Sequence, residues 1–189
     1  MKKLLSITSA LALTICLANA QSFSIGARAG LNLAKQTVSG SGVTASADSR
    51  TSFILGGYAT IMFSDKLGLQ PELFYSGTGA KQGSAVEKIN YLTLPVFLRY
   101  NVTENFHLLA GPQLGFLLSA KDDAGNDIKD QVNSSDFGIV PGVGVDFGPF
   151  NAGLRYSLGL SNIAKSAPSG FTVKNNIFQV VVGYKLFGK

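Results

Sequence analysis

The segment 90–100, Asn-Tyr-Leu-Thr-Leu-Pro-Val-Phe-Leu-Arg-Tyr, constrains the chain more than any other. Its alternate residues fall into two rows. Leu92, Leu94, Val96, Leu98 and Tyr100 form an unbroken apolar row, while Tyr91, Thr93, Pro95, Phe97 and Arg99 form a mixed row that carries a charge. A period of two is the mark of a strand, whose side chains point alternately to two faces, here one oily and one not. At about eleven residues the segment matches the ~9–11 that a tilted strand needs to cross a bilayer. Whether such a strand can belong to a closed barrel depends on how often the pattern returns.

It returns seven times. Residues 23–33 set Phe23, Ile25, Ala27, Ala29, Leu31 and Leu33 against Ser24, Gly26, Arg28, Gly30 and Asn32. The segment 51–63 sets Phe53, Leu55, Gly57, Ala59, Ile61 and Phe63 against Ser52, Ile54, Gly56, Tyr58, Thr60 and Met62, with less distinct faces. Further alternating segments run over 67–76, 106–118, 136–147, 150–160 and 175–187. The connections alternate as strictly as the strands. Long polar stretches at 36–49, 77–86, 119–135 and 161–173 are separated by short turns near Ser64, Asn101 and Gly148. Outer-membrane barrels have an even number of antiparallel strands, short periplasmic turns and longer outer loops. The pattern therefore predicts an all-β chain, an eight-stranded antiparallel up-and-down transmembrane β-barrel with four outer loops. Pro71, Pro95, Pro112 and Pro141 lie inside these strands. Each removes a ladder donor, so each is expected as a local bend, at a bulge or with one partner missing.

Composition agrees. Apolar residues make up 46% of the 189 and charged residues 14%, which argues against disorder. Mean hydropathy is +0.23, yet beyond residue 20 no run approaches the ~18 apolar residues of a membrane helix. Net charge is +5, two of it from Lys2 and Lys3. The remaining excess is scattered, without the basic run of a nucleic-acid surface, so no nucleic-acid partner is expected.

The first twenty residues read as a secretory signal peptide: a basic head, an apolar stretch over 4–18, and the A-x-A site Ala18-Asn19-Ala20. Cleavage would leave a barrel domain over 21–189. Cys16 is the chain's one cysteine, and it lies in the leader. A lipoprotein reading would attach lipid there, but Ile15 is not the small residue such processing prefers, and ordinary cleavage is the expectation. The mature chain then has no thiol or disulfide chemistry.

The mixed rows place Arg28, Glu72, Arg99, Asp146, Arg155 and Lys185 on the inner face, among many glycines. An eight-stranded barrel has an interior just wide enough for side chains or one small ligand. Charges confined there should pair, so a salt-bridge network filling the lumen is expected; a small polar pore or pocket is the sharper alternative. No catalytic residue is indicated. His107 stands alone at the inner rim with no serine or carboxylate beside it in sequence. No cofactor or metal is expected either. The stretch Asp122-Asp123-Ala124-Gly125-Asn126-Asp127 has calcium-type oxygens but lacks the ligand spacing and terminal Glu of an EF-hand. Tyr58, Tyr75, Tyr91, Tyr100, Tyr156 and Tyr184, with Phe106, Phe147, Phe150 and Phe187, are candidates for aromatic girdles at the two interfaces.

Ile25-Gly26-Ala27-Arg28-Ala29-Gly30-Leu31-Asn32, Leu69-Gln70-Pro71-Glu72-Leu73-Phe74-Tyr75-Ser76, Tyr91-Leu92-Thr93-Leu94-Pro95 and Gly111-Pro112 together span nearly the whole mature chain. In these the sequence resembles the small outer-membrane β-barrel domain proteins often labelled porin-family or PorT-like, and more distantly the OmpA-type eight-stranded barrels. The strand prolines belong to that likeness; the ending Phe187-Gly188-Lys189 departs from the aromatic terminus common in such barrels. The resemblance implies a Gram-negative outer membrane and no single activity. A monomer is expected, with outer-membrane lipid and the barrel-assembly machinery as partners. Envelope or extracellular partners would meet loops 36–49, 77–86, 119–135 and 161–173. Its role would be structural, interactive or that of a minor porin. The rival is a secreted soluble barrel that binds an apolar ligand inside, as lipocalins do. That rival needs the oily rows inside and the charges outside. An outer-membrane enzyme acting on lipid would need a catalytic group facing the bilayer, and none is evident.

Overall fold

The computed structural model describes residues 22–40, 43–46, 48–82, 85–165 and 170–188; the expected signal peptide lies outside them. Eight long strands form the wall: β1 (Ser22–Gly40), β2 (Arg50–Met62), β3 (Leu67–Thr78), β4 (Lys88–Asn101), β5 (Phe106–Lys121), β6 (Ser135–Phe147), β7 (Phe150–Gly159) and β8 (Thr172–Gly188). Each pairs antiparallel with its sequence neighbours, and β8 pairs with β1 from Ser24↔Gly188 to Ser39↔Thr172. The sheet is therefore a closed barrel with no free edge, which is what lets strands stand in lipid without unpaired backbone groups.

The alternation survives in three dimensions. Along β4, Tyr91, Thr93, Pro95, Phe97 and Arg99 are all buried, and Leu94, Leu98 and Tyr100 are exposed. Thirty-odd large apolar side chains stand outside, Leu31, Phe53, Leu55, Leu73, Phe116, Val182 and Leu186 among them. So large an apolar surface marks a contact with membrane rather than water. Three residues depart from their expected row or role. Ile61, placed in the outer row, is buried between its cross-strand partners Phe23 and Leu69. Tyr58 and Tyr91 are buried in the lumen and leave the girdle set. Exposed Phe106, Phe147, Phe150, Tyr184 and Phe187 gather at the turn end, with Phe150 and Tyr184 edge to face at 5.1 Å. Phe53 stacks on Tyr75 at 5.4 Å toward the loop end.

The four prolines each interrupt one ladder without shifting its register. Cross-strand partners are absent at Ala59–Thr60 opposite Gln70–Pro71, and at Glu72–Leu73 opposite Leu94–Pro95. They are absent again at Val96–Phe97 opposite Gly111–Pro112, and at Tyr156–Ser157 opposite Val140–Pro141. A ring without an N–H cannot donate, so each gap falls on one side of its proline while the other ladder holds, as in Pro71↔Val96 and Pro112↔Ile139. The two register shifts, Ile25/Gly26 and Asn90/Tyr91, lie elsewhere.

Strands outrun the apolar rows at the loop end. β1 continues to Gly40 and pairs there with a short strand, Val43–Ser46, so much of 36–49 is hairpin rather than loop. β5 reaches Lys121 and β8 begins at Thr172, taking the edges of 119–135 and 161–173 into the wall. Short turns close the other end. Ser64 Oγ accepts from Leu67 N at 3.0 Å, and Thr103 Oγ1 accepts from Phe106 N at 3.0 Å. In the two-residue connection Gly148-Pro149, Gly148 takes φ 59°, a left-handed conformation that such hairpins require and glycine supplies.

Candidate functional site in the barrel lumen

The lumen is built in layers by the inward rows. At its centre Glu72 of β3, fully buried, receives two guanidinium groups. Arg155 of β7 donates from Nη1 to Oε2 at 2.5 Å and from Nη2 to Oε1 at 2.8 Å, a bidentate fork. Arg28 of β1 pairs with Oε1 through Nη1. In an eight-strand ring β7 lies directly opposite β3, so the Arg155–Glu72 pair spans the interior. Gln70 Nε2 adds a third donor to Oε1 at 2.6 Å. Arg28 Nη2 donates to Asn151 Oδ1 at 2.6 Å, and Asn151 Nδ2 donates to Tyr58 Oη at 2.7 Å. The Arg28 guanidinium also lies 4.3 Å over the Tyr58 ring, and that of Arg155 4.7 Å over Phe97, geometry suited to cation–π attraction.

Toward the turn end a second cluster joins the first through Gln70, whose Oε1 accepts from Arg99 Nη1 at 3.2 Å. Arg99 Nη2 donates to Asp146 Oδ2 at 2.5 Å, and its Nε donates to Asn101 Oδ1 at 2.9 Å. His107 Nδ1 sits 3.1 Å from the same Asp146 oxygen. Below them opens a polar vestibule of about 310 Å³, lined by Ser24, Thr60, Arg99, Glu104, Asp146 and Lys185 among others. Five of the six inward charges named from the sequence are thus connected. Lys185 is not: it lines the vestibule at the rim and joins no salt bridge among the described residues.

Toward the loop end the filling turns apolar, then polar, then apolar again. Ile54, Phe74 and Val181 form one small cluster; a second, of Phe97, Leu109 and Val140, lies beside the charges instead, with Phe97 paired to Gln70 and Leu109 to Arg99. Asn32 Nδ2 donates to Ser76 Oγ and to the Gly77 carbonyl, both at 2.9 Å, while its Oδ1 accepts from Gln179 Nε2 at 3.0 Å. Asp136, on the inward row of β6 but absent from the charges singled out in the sequence, accepts from Asn175 Nδ2 at 2.9 Å and Ser161 Oγ at 2.7 Å. Over these sits a cluster of Ile89, Tyr91, Ala120 and Val132, with Leu117 and Ile128 packed on it. Val132 and Ile128 come from the stretch 119–135, which is therefore more than a solvated loop. Its backbone pairs with the next connection: Asn133 N donates to Ile163 O at 2.8 Å, and Lys165 N to Gln131 O at 2.9 Å.

The inward glycines follow from this filling. Gly26 faces the Tyr58 ring, Gly142 the Arg155 stem, Gly144 the His107 ring and Gly183 the Asn151 amide; a Cβ at any of them would collide with that side chain. All four contacts join direct ladder partners: Gly26↔Tyr58, Gly142↔Arg155, His107↔Gly144 and Asn151↔Gly183. A lumen this narrow takes one large side chain per such pair. Gln70, Asn151 and Tyr58 were missed as network members because they are uncharged. The glycine opposite Asn151 and Tyr58 is the signal that would have found those two.

A lipocalin-type interior is not favoured, since the buried rows carry Arg28, Glu72, Arg99 and Arg155 and the oily rows face out. The chain matches the family model described as outer membrane protein beta-barrel domain over residues 19–165. Among solved structures it is similar to Neisserial surface protein A, at 17% identity and TM-score 0.56, covering 87% of this chain and 97% of that one. It is also similar to Ail, the attachment invasion locus protein of Yersinia pestis, at 18% identity, TM-score 0.49, and 87% and 98% coverage. A third is the outer membrane protein OprG from Pseudomonas aeruginosa, at 19% identity, TM-score 0.45, and 89% and 97% coverage. No curated protein matches the chain in sequence. With eight closed strands, an apolar exterior and a family match over most of its length, the chain belongs to the outer membrane protein beta-barrel domain family and resides in the outer membrane.

Proposed function

We propose that this outer-membrane protein is a closed, non-conducting and non-catalytic barrel that serves a structural or interaction role through its outer loops. It is exported by the signal peptide 1–20, inserted by the barrel-assembly machinery and held in the membrane as a monomer. The observation that carries the reading is Glu72. A carboxylate with no exposure, clamped by guanidinium groups from β1 and β7, occupies the centre of an interior that has room for little else. Breaking such a cluster to pass solute would leave buried charges unpaired, which costs several kcal/mol. The test is conductance in planar bilayers. The purified barrel, shifted in gel mobility by heating as a folded barrel is, is expected to give no steady channels. Steady openings by the wild-type chain would overturn the closed lumen and restore a minor-porin role.

A further inference from the structure

Lys88 of β4 and Lys121 of β5 are direct cross-strand partners. Their ladder neighbours Ile89 and Ala120 are both buried in the lumen, so both lysines stand exposed on the outside of the wall. They sit just above the apolar band, here Leu92, Leu94, Phe116 and Leu118. Like charges directly opposite one another destabilise a ladder; among the described residues only Asp127, the bridge partner of Lys121 on its other side, brings a carboxylate to this ladder, and it makes no salt bridge there. Every salt bridge among the described residues lies in the lumen. The nearby carboxylates accept hydrogen bonds from loop groups. Asp122 accepts from Asn126 N and Nδ2 at 2.8 and 3.0 Å, Asp123 from Val86 N at 3.2 Å, and Asp127 from Lys129 N at 2.9 Å. A matching basic pair stands on the opposite wall. Lys35 and Lys174 are diagonal neighbours outside β1 and β8, just above Leu33 and Phe178.

We propose that Lys88 and Lys121 clasp a phosphate of a phosphorylated glycolipid headgroup in the outer leaflet. Cβ atoms of a cross-strand pair lie about 4.5–5.5 Å apart, so two flexible ammonium arms can close on one phosphate. Lysine binds it as a point charge. The phosphate supplies the counter-charge that Lys88 lacks and adds to that of Asp127 beside Lys121, at the height where the apolar band ends and headgroups begin. Each basic residue near a charged membrane surface contributes about fivefold in affinity. The assignment rests on the outer-membrane location and not on whether the lumen conducts.

The test uses the full-length folded barrel in vesicles of phosphatidylcholine alone, of phosphatidylcholine with lipid A, and of phosphatidylcholine with dephosphorylated lipid A. Wild type is expected to unfold at a higher temperature with lipid A and to gain nothing from the dephosphorylated lipid. Lipid A retained through native purification should fall about fivefold in Lys88→Gln or Lys121→Gln and about twenty-fivefold in the double variant. In phosphatidylcholine alone the variants should be as stable as wild type or more so, because the repulsion is gone. Equal stabilisation by the dephosphorylated lipid overturns the proposal using the wild-type chain alone. A double variant that keeps its lipid A also overturns it. Inorganic phosphate added to phosphatidylcholine vesicles separates the sources: a rise as large as that with lipid A would make the ligand a free anion and defeat the headgroup assignment.

Discussion

The middle of the lumen and its loop end are filled by opposite chemistries. In the middle, Arg28, Glu72 and Arg155 come from three strands whose register fixes where each charge must lie. At the loop end, Val132, Ile128 and Ile163 come from connections and fill the space with apolar side chains, held by the connections' own backbone hydrogen bonds. The difference lies in what happens on failure. A guanidinium that loses its carboxylate stays buried, because the wall holds its Cα in place. An apolar connection that loses its contact can lift away. The middle should therefore couple to the stability of the whole barrel, and the loop end only to its own order.

Removing the hub has the largest expected effect. Glu72→Ala leaves two buried guanidinium groups without a carboxylate, which should cost about 3–5 kcal/mol, read by urea unfolding in vesicles. Replacing Arg28, Glu72 and Arg155 together by methionine should recover most of that loss, since a buried ion cluster is often no better than an apolar filling of similar volume. If Glu72→Ala alone is silent, the cluster is solvated and the middle of the lumen is no more coupled to the barrel than its loop end.

Packing gives a finer contrast along one strand. At Gly111 a Cβ would strike the Val96 carbonyl oxygen, which belongs to the wall and cannot yield. Gly111→Ala should cost about 1–3 kcal/mol by overpacking. Four residues on, at Gly115, the nearest contact would be the Tyr91 ring at 3.4 Å. Gly115→Ala should be close to neutral in the same unfolding measurement. Equal effects at both would mean that the filling is no tighter in the middle than at the loop end.

At the loop end, Val132→Asp puts a carboxylate among Ile89, Tyr91 and Ala120. The expected result is faster proteolysis between β5 and β6, while the barrel's unfolding changes by less than about 1 kcal/mol. A large fall in global stability would show that this cluster is part of the core and not a cover on it.

The sequence displayed the wall well because lipid imposes a period of two on whatever crosses it. Leu92 to Tyr100 and their inward counterparts fell on the faces expected of them. Periodicity stops being written where lipid stops, however, and not where the strand does. Beyond Leu33, β1 presents Lys35, Thr37 and Ser39, so its continuation to Gly40 read as loop. The candidate site was legible as charges on an inward row but not as pairs. Nothing local in Arg155 and Glu72 says that closure sets β7 across from β3. Asp136 was overlooked although it sat on the same row. Lys185 was over-read, since its inward parity places it at the rim, where the vestibule rather than a partner receives it.

The smallest expected effect lies in the exposed turn beyond β5, which neither region should feel. Hydrogen bonds from the Asn126 amide side chain, and then from its backbone N–H, hold the Asp122 carboxyl below its ordinary value. A depressed carboxyl favours the ordered turn at pH values above the ordinary carboxylate range, ~3.9. That contribution is lost as pH falls through the lower value found in the fold. Measured against the intrinsic rate at each pH, the Asn126 amide should therefore be more protected from exchange at neutral pH than in acid, and Asp122→Asn, which keeps an acceptor without a titrating charge, should show the same protection at both. Asp122→Ala should speed that exchange at all pH values and leave barrel unfolding unchanged. If it also releases the Val132 cluster, the turn is a strut of the cover, and the loop end is more tightly coupled than its apolar contacts alone can make it.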